Sequence, residues 1–183
     1  MYRFIILSLI ASLFLLDACN SQSASNTAGD EGINVGLAIG QRAPDLSDKN
    51  PEGQTIALSS LRGKIVLIDF WASWCPPCRR ENPSVVACYK DFKDKDFTCG
   101  NGFTVYSIGC EKSREAWLDA INKDGLIWEN HVSQLKGWEE EATYTYKISA
   151  IPANFLIDGQ GIILAKNLYG EALRTKLESL VKE

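Results

Sequence analysis

Two cysteines three residues apart, in Trp74-Cys75-Pro76-Pro77-Cys78, constrain this chain more than any other feature. The apolar, β-branched run Ile65 to Trp71 precedes them, and a polar stretch of helical pattern follows. That order puts the dithiol where a buried strand gives way to the first turn of a helix. The free N–H groups and dipole at a helix start favour a thiolate over a thiol. A thiolate with a second sulfur in reach attacks a disulfide and then releases the mixed intermediate. Cys75, at the helix tip, is the attacking sulfur. Cys78, one turn on, shares its face and resolves the mixed disulfide. The local pattern therefore predicts thiol–disulfide exchange.

The rest of the chain supplies a scaffold for that turn. Leu37 to Leu61 reads as a small hairpin before the core, with Thr55-Ile56-Ala57-Leu58 as its strand. A helix runs from Pro76 to about Phe92; its prolines at the start are tolerated because first-turn N–H groups lack partners, whereas Pro83 is expected to kink it. Phe103–Ile108 reads as a second buried strand. Ser113 caps a helix carrying Trp117, Leu118 and Ile121. A further helix follows Gly137, its run Glu139-Glu140-Glu141 read as a solvated face. Ala153–Ile157 and Ile162–Ala165 are strands split by the turn Asp158-Gly159-Gln160-Gly161, and Glu171–Val181 is a closing amphipathic helix. Strands alternating with helices and ending in a hairpin indicate an α/β domain with a mixed sheet.

Two segments carry a resemblance. Asp69-Phe70-Trp71-Ala72-Ser73-Trp74-Cys75-Pro76-Pro77-Cys78 resembles the active-site segment of the thioredoxin superfamily, and Ile151-Pro152-Ala153-Asn154-Phe155-Leu156-Ile157-Asp158 resembles its proline loop. The long lead-in and the helix near Ser113 to Lys123 are similar to the TlpA/ResA-like branch, of redoxin (AhpC/TSA) type, whose members are extracytoplasmic thiol–disulfide oxidoreductases. The resemblance implies a thioredoxin fold: a mixed central sheet flanked by helices, with an N-terminal hairpin extension and an inserted helix. It implies that Asp69, six residues before Cys75, is a buried carboxylate of raised pKa that exchanges a proton with the resolving thiol. Glu81, three residues after Cys78, is implied to tune the cysteines; a surface Glu beside Arg79 and Arg80 is the equal alternative. Pro152 is implied to be cis, to face the dithiol and to present the Ile151 backbone to an extended substrate segment. Trp74 and Pro76 join Ile151 and Pro152 as expected substrate contacts, while Trp71 is expected in the core.

The N-terminus bears on location. Arg3 followed by the apolar stretch Phe4–Leu16 reads as an export signal over residues 1–18. Leu16-Asp17-Ala18-Cys19 resembles the lipobox of bacterial lipoproteins, although Asp17 is an unusual occupant of its position. That resemblance implies lipidation of Cys19 and a membrane anchor; an ordinary signal peptide with an incidental cysteine is the other reading. Residues 19–36, rich in Ser, Asn, Gly and Ala, read as a flexible tether, and residues 37–183 as one domain. Export implies an oxidising compartment. The expected partners are therefore disulfide-bearing clients and a membrane protein that donates electrons. The net charge of −4 comes with no basic stripe, which excludes nucleic acid.

His131 is the one histidine in a chain of six cysteines, and there is no second Cys-x-x-Cys. A closed zinc site wants four ligands, so neither metal nor cofactor is expected and His131 is read as structural. Cys88 and Cys99 are close enough in sequence to bridge, with buried free thiols as the alternative, and Cys110 is read as buried. Two rival functions remain: a peroxiredoxin-like thiol peroxidase, and a copper-binding module on a thioredoxin-like scaffold, since soft thiolates suit Cu(I).

Overall fold

A computed structural model describes residues 34–183. The signal, the lipidation residue Cys19 and most of the tether lie outside the described residues. A two-stranded hairpin comes first, β1 (Ser47–Lys49) against β2 (Thr55–Ala57), followed by a 3-10 turn at Leu58–Leu61. The core elements are β3 (Ile65–Trp71), α1 (Pro76–Phe92), a minimal hairpin of β4 (Asp96–Phe97) and β5 (Gly100–Asn101), β6 (Phe103–Gly109) and α2 (Arg114–Asp124). They continue with β7 (His131–Val132), a 3-10 turn at Gly137–Glu139, α3 (Glu141–Thr145), β8 (Ala153–Ile157), β9 (Ile163–Lys166) and α4 (Glu171–Glu178).

The central sheet runs β7-β6-β3-β8-β9. β3 pairs parallel with β6 and antiparallel with β8, so the sheet is mixed. Every residue of β3 and of β6 is buried, as expected of strands covered on both faces. Alternation along β3 divides two cores. Ile65, Leu67 and Trp71 pack with Val85, Cys88 and Phe92 of α1 and with Leu173 and Leu177 of α4. Val66, Ile68 and Phe70 pack on the other face with Leu46, Leu58, Tyr146 and Phe155. Asp69 falls in register with Leu67 and Trp71, so it faces the layer that contains α1 and both active-site sulfurs. A single-residue slip would put it on the opposite face.

The helix ends follow their local chemistry. Ser113 Oγ accepts the Ala116 N–H at the start of α2, and Gly125, in the left-handed region at φ 64°, ends it. α1 is continuous through Pro83. Two expectations are corrected here. The Glu139–Glu141 run is not a solvated face throughout: Glu140 is fully buried and accepts Ser133 Oγ, Gln134 N–H and Lys136 N–H. Carboxylate oxygens can replace water for backbone donors in a tight loop, which makes burial tolerable. Cys88 and Cys99 are separate thiols. Cys88 lies in the α1–α4 layer near Arg174, whereas Cys99 sits in the β4–β5 turn, its carbonyl accepting the Gly159 N–H.

Candidate active site

The loop leaving β3 carries the dithiol onto α1. Cys75 is the N-cap of α1, with Pro76 and Pro77 in its first turn. Cys75 and Cys78 are joined by a disulfide with sulfurs 2.06 Å apart. The Cys78 N–H points at Cys75 Sγ from 3.2 Å. A first-turn N–H aimed at this sulfur stabilises negative charge on it when the bond is open. On the other side, Cys75 Sγ lies 3.9 Å from the Ile151 carbonyl oxygen, and the Ile151–Pro152 peptide bond is cis. The closed disulfide is less open than the sequence suggests: Cys75 is only 3% exposed. Trp74 and Pro76 beside it are exposed.

On the face of β3 that carries α1, Asp69 is buried and has its carboxyl raised to about 7 by desolvation first and the Glu81 charge second. Glu81 is half-buried on α1, its carboxylate accepting the Gly170 N–H. It therefore faces the loop before α4 rather than Arg79 and Arg80. Tyr169 in that loop donates to the Pro152 carbonyl at 2.7 Å. Its hydroxyl is shifted up by burial, with Asp69 and Glu81 adding to it. Asn154, the register partner of Asp69 on β8, spends its whole amide on the same loop: Nδ2 donates to the Leu168 carbonyl at 2.7 Å and Oδ1 accepts the Leu168 N–H at 2.9 Å. Proline loop, Glu81 and residues 167–170 thus form one hydrogen-bonded wall.

A second wall rises from β6. Glu111, 1% exposed, accepts both the N–H and, at 2.9 Å, the hydroxyl of Ser73. Arg79 donates to the Ser73 carbonyl at 3.2 Å and is held by Asp124 at the end of α2, which Asn82 also contacts at 2.6 Å. Burial pushes the Asp124 carboxyl up, but the Arg79 and Asn82 bonds more than offset it, leaving it below its ordinary value. The Trp74 indole N–H donates to the Cys110 carbonyl at 3.1 Å. Ser73 and Trp74, the two residues before Cys75, are therefore fixed through backbone and side chain alike.

The predicted residues Asp69, Cys75, Cys78, Glu81, Ile151 and Pro152 converge at one end of the sheet. Sequence reasoning did not single out Glu111, Asn154 or Tyr169. Glu111 had a readable signal, because it lies two residues past a buried strand at the end of the sheet where α/β sites gather. Asn154 and Tyr169 carry no pattern of their own. The other three described cysteines are poor nucleophiles: burial pushes Cys88 to about 11 and Cys110 to about 12, and shifts Cys99 up as well. His131 is buried, bonds the Leu126 carbonyl through Nε2 at 3.2 Å, and is held down near 4 by desolvation. It is a neutral structural residue.

Comparison with known proteins agrees with this geometry. Residues 39–166 match the AhpC/TSA family. The thiol-disulfide oxidoreductase ResA of Bacillus thuringiensis is 29% identical over 147 residues, covering 80% of this chain and 79% of the relative. The thioredoxin-like protein YneN of Bacillus subtilis is 33% identical over 129 residues, covering 70% and 71%. The thioredoxin domain of a thiol-disulfide oxidoreductase from Bacteroides vulgatus superposes with a TM-score of 0.71 at 35% identity, covering 80% of this chain and all of that one.

Proposed function

The chain belongs to the AhpC/TSA family and is a TlpA/ResA-like thiol–disulfide oxidoreductase of thioredoxin fold, and we propose that it works as an extracytoplasmic reductase of client disulfides. The observation that carries this reading is the Cys78 N–H aimed at Cys75 Sγ at the tip of α1. It stabilises charge on Cys75, so Cys75 is the nucleophile and Cys78 the resolving thiol.

The Cys75 thiolate attacks one sulfur of a client disulfide; the Cys75–client bond forms, the client S–S bond breaks, and a client thiolate leaves. Cys78 gives up its proton and attacks Cys75 Sγ, forming the Cys75–Cys78 disulfide and expelling the second client thiolate. Two electrons pass from protein to client. Asp69, titrating near 7, is the acceptor for the Cys78 proton. Glu81, bonded to Gly170 and coupled to Asp69, adjusts that acidity. Ile151 and Pro152 offer backbone to an extended client segment, and Trp74 and Pro76 line its approach. A membrane electron donor then returns the dithiol.

Export and lipidation at Cys19 put this chemistry at the cell envelope, facing the periplasm, with residues 19–36 as tether and 37–183 as the working domain. The lipobox resemblance supports that placement. Exported proteins whose cysteines must stay reduced, apocytochromes c among them, are the proposed clients. Trapping tests the reading. Cys78→Ala expressed in its native envelope is expected to accumulate mixed disulfides through Cys75, identifiable after non-reducing separation. Capture of nothing while Cys75 remains alkylatable would contradict it.

A further inference from the structure

Two tryptophans stand exposed beside the dithiol, and the fold invests heavily in holding them. Trp74 is 51% exposed and Trp138 42%, with ring centroids 6.2 Å apart and planes inclined at 59°. Trp74 is bonded in sequence to Cys75. Trp138 arrives from the remote turn Gly137–Glu139.

Glu111 ties both segments together. Its carboxylate takes the Ser73 N–H and hydroxyl next to Trp74, and its backbone carbonyl takes the Gly137 N–H next to Trp138 at 2.7 Å. The Trp74 indole is pinned to the Cys110 carbonyl, and the Trp138 carbonyl is taken by Thr143 Oγ1 at 2.8 Å. Gly137 itself sits at φ 65°, where a Cβ would come within 2.8 Å of the Lys112 side chain. The buried Glu140 braces the preceding loop at Gln134 and Lys136. Exposed aromatic rings on a hydrogen-bonded frame are pre-organised for contact, because less loop entropy remains to be lost on binding.

We infer that Trp74 and Trp138 form a fixed aromatic seat for an apolar or aromatic side chain flanking the reactive cysteine of an extended client segment. The occupant follows from continuity with the dithiol. A client sulfur bonded to Cys75 brings its neighbouring residues near the Ile151 carbonyl, which lies 3.9 Å from Cys75 Sγ, and near Trp74, the residue before Cys75. The seat then selects clients by sequence next to the disulfide, whereas the proline loop, which offers backbone, does not. This inference rests on the reductase reading above.

The test uses pre-reduced protein and two synthetic peptide disulfides that differ only in Phe or Gly beside the cysteine. Single-turnover rates follow the protein dithiol becoming a disulfide as the peptide disulfide becomes two thiols. The wild type is expected to favour the Phe peptide by about tenfold, the size of one aromatic stacking contact. Trp138→Ala is expected to bring the ratio near one, and Trp138→Phe to keep most of it. Equal rates for both peptides in the wild type, a ratio preserved in Trp138→Ala, or equal loss in both variants overturns the seat while leaving the reductase reading in place. Reduction of neither peptide overturns both.

Discussion

Asp69 carries its burial into the pH dependence of the molecule. In the native state its carboxyl keeps a proton up to about 7, whereas unfolded it releases one near 3.8. Between those values the native state binds more protons, so stability falls as pH rises through the window and is level above it. The difference corresponds to ~4 kcal/mol between the two protonation states. Asp69→Asn removes the titration. In urea unfolding of the oxidised proteins, the variant is predicted to gain on the wild type by up to ~4 kcal/mol between pH 4 and pH 8. Any pH-independent cost of the buried amide cancels in that change, as does His131, which titrates in both proteins. A gap constant with pH would show that Asp69 ionises freely. This residue was legible from the family resemblance, at the end of a strand read as buried on both faces. Glu81 was half legible: its position on α1 could be read, but its bond to Gly170 could not, because Gly170 lies 89 residues away.

At the scale of elements, long periodic segments declared themselves and short ones did not. β3, α1, β6, α2, β8 and α4 follow the apolar patterns in the sequence, with shifts of a few residues at their ends. β4, β5 and β7 are two residues each, too short to show any period. They exist because neighbouring strands supply partners, as Ser107 and Ile108 do for β7. The acidic run before α3 was misread for a related reason. Charge alone says solvent, and only the loop folding back on Glu140 says otherwise. Glu140→Ala would leave the Gln134 and Lys136 N–H groups without their acceptor, while the Ser133 hydroxyl keeps the Gly109 carbonyl. It is predicted to cost about 2–4 kcal/mol in chemical denaturation, whereas Glu139→Ala, at an exposed neighbour, stays within ~0.5 kcal/mol. Equal effects at the two positions would refute the buried-brace role.

Over the whole molecule, the mixed sheet order and the two apolar layers place every reactive group at one end of the sheet. The dithiol comes from the loop after β3, the cis-proline from the loop before β8, Glu111 from the end of β6, and Tyr169 from the loop after β9. The succession of strands and helices along the chain and the cysteine motif were readable because they depend on local pattern. The walls around the motif were not: Asn154 and Tyr169 acquire their roles only when distant loops meet, and Glu111, readable as a residue past a strand end, meets Ser73 only in the fold. That assembly isolates one reactive pair among five described cysteines, the other three being held protonated by burial. Equilibration with graded glutathione buffers, followed by alkylation and peptide mass analysis, tests this most directly. The predicted result is one two-electron transition confined to Cys75 and Cys78, with Cys88, Cys99 and Cys110 unchanged throughout. A pair that stays locked in one form, or a transition that involves any of the other three, would contradict it.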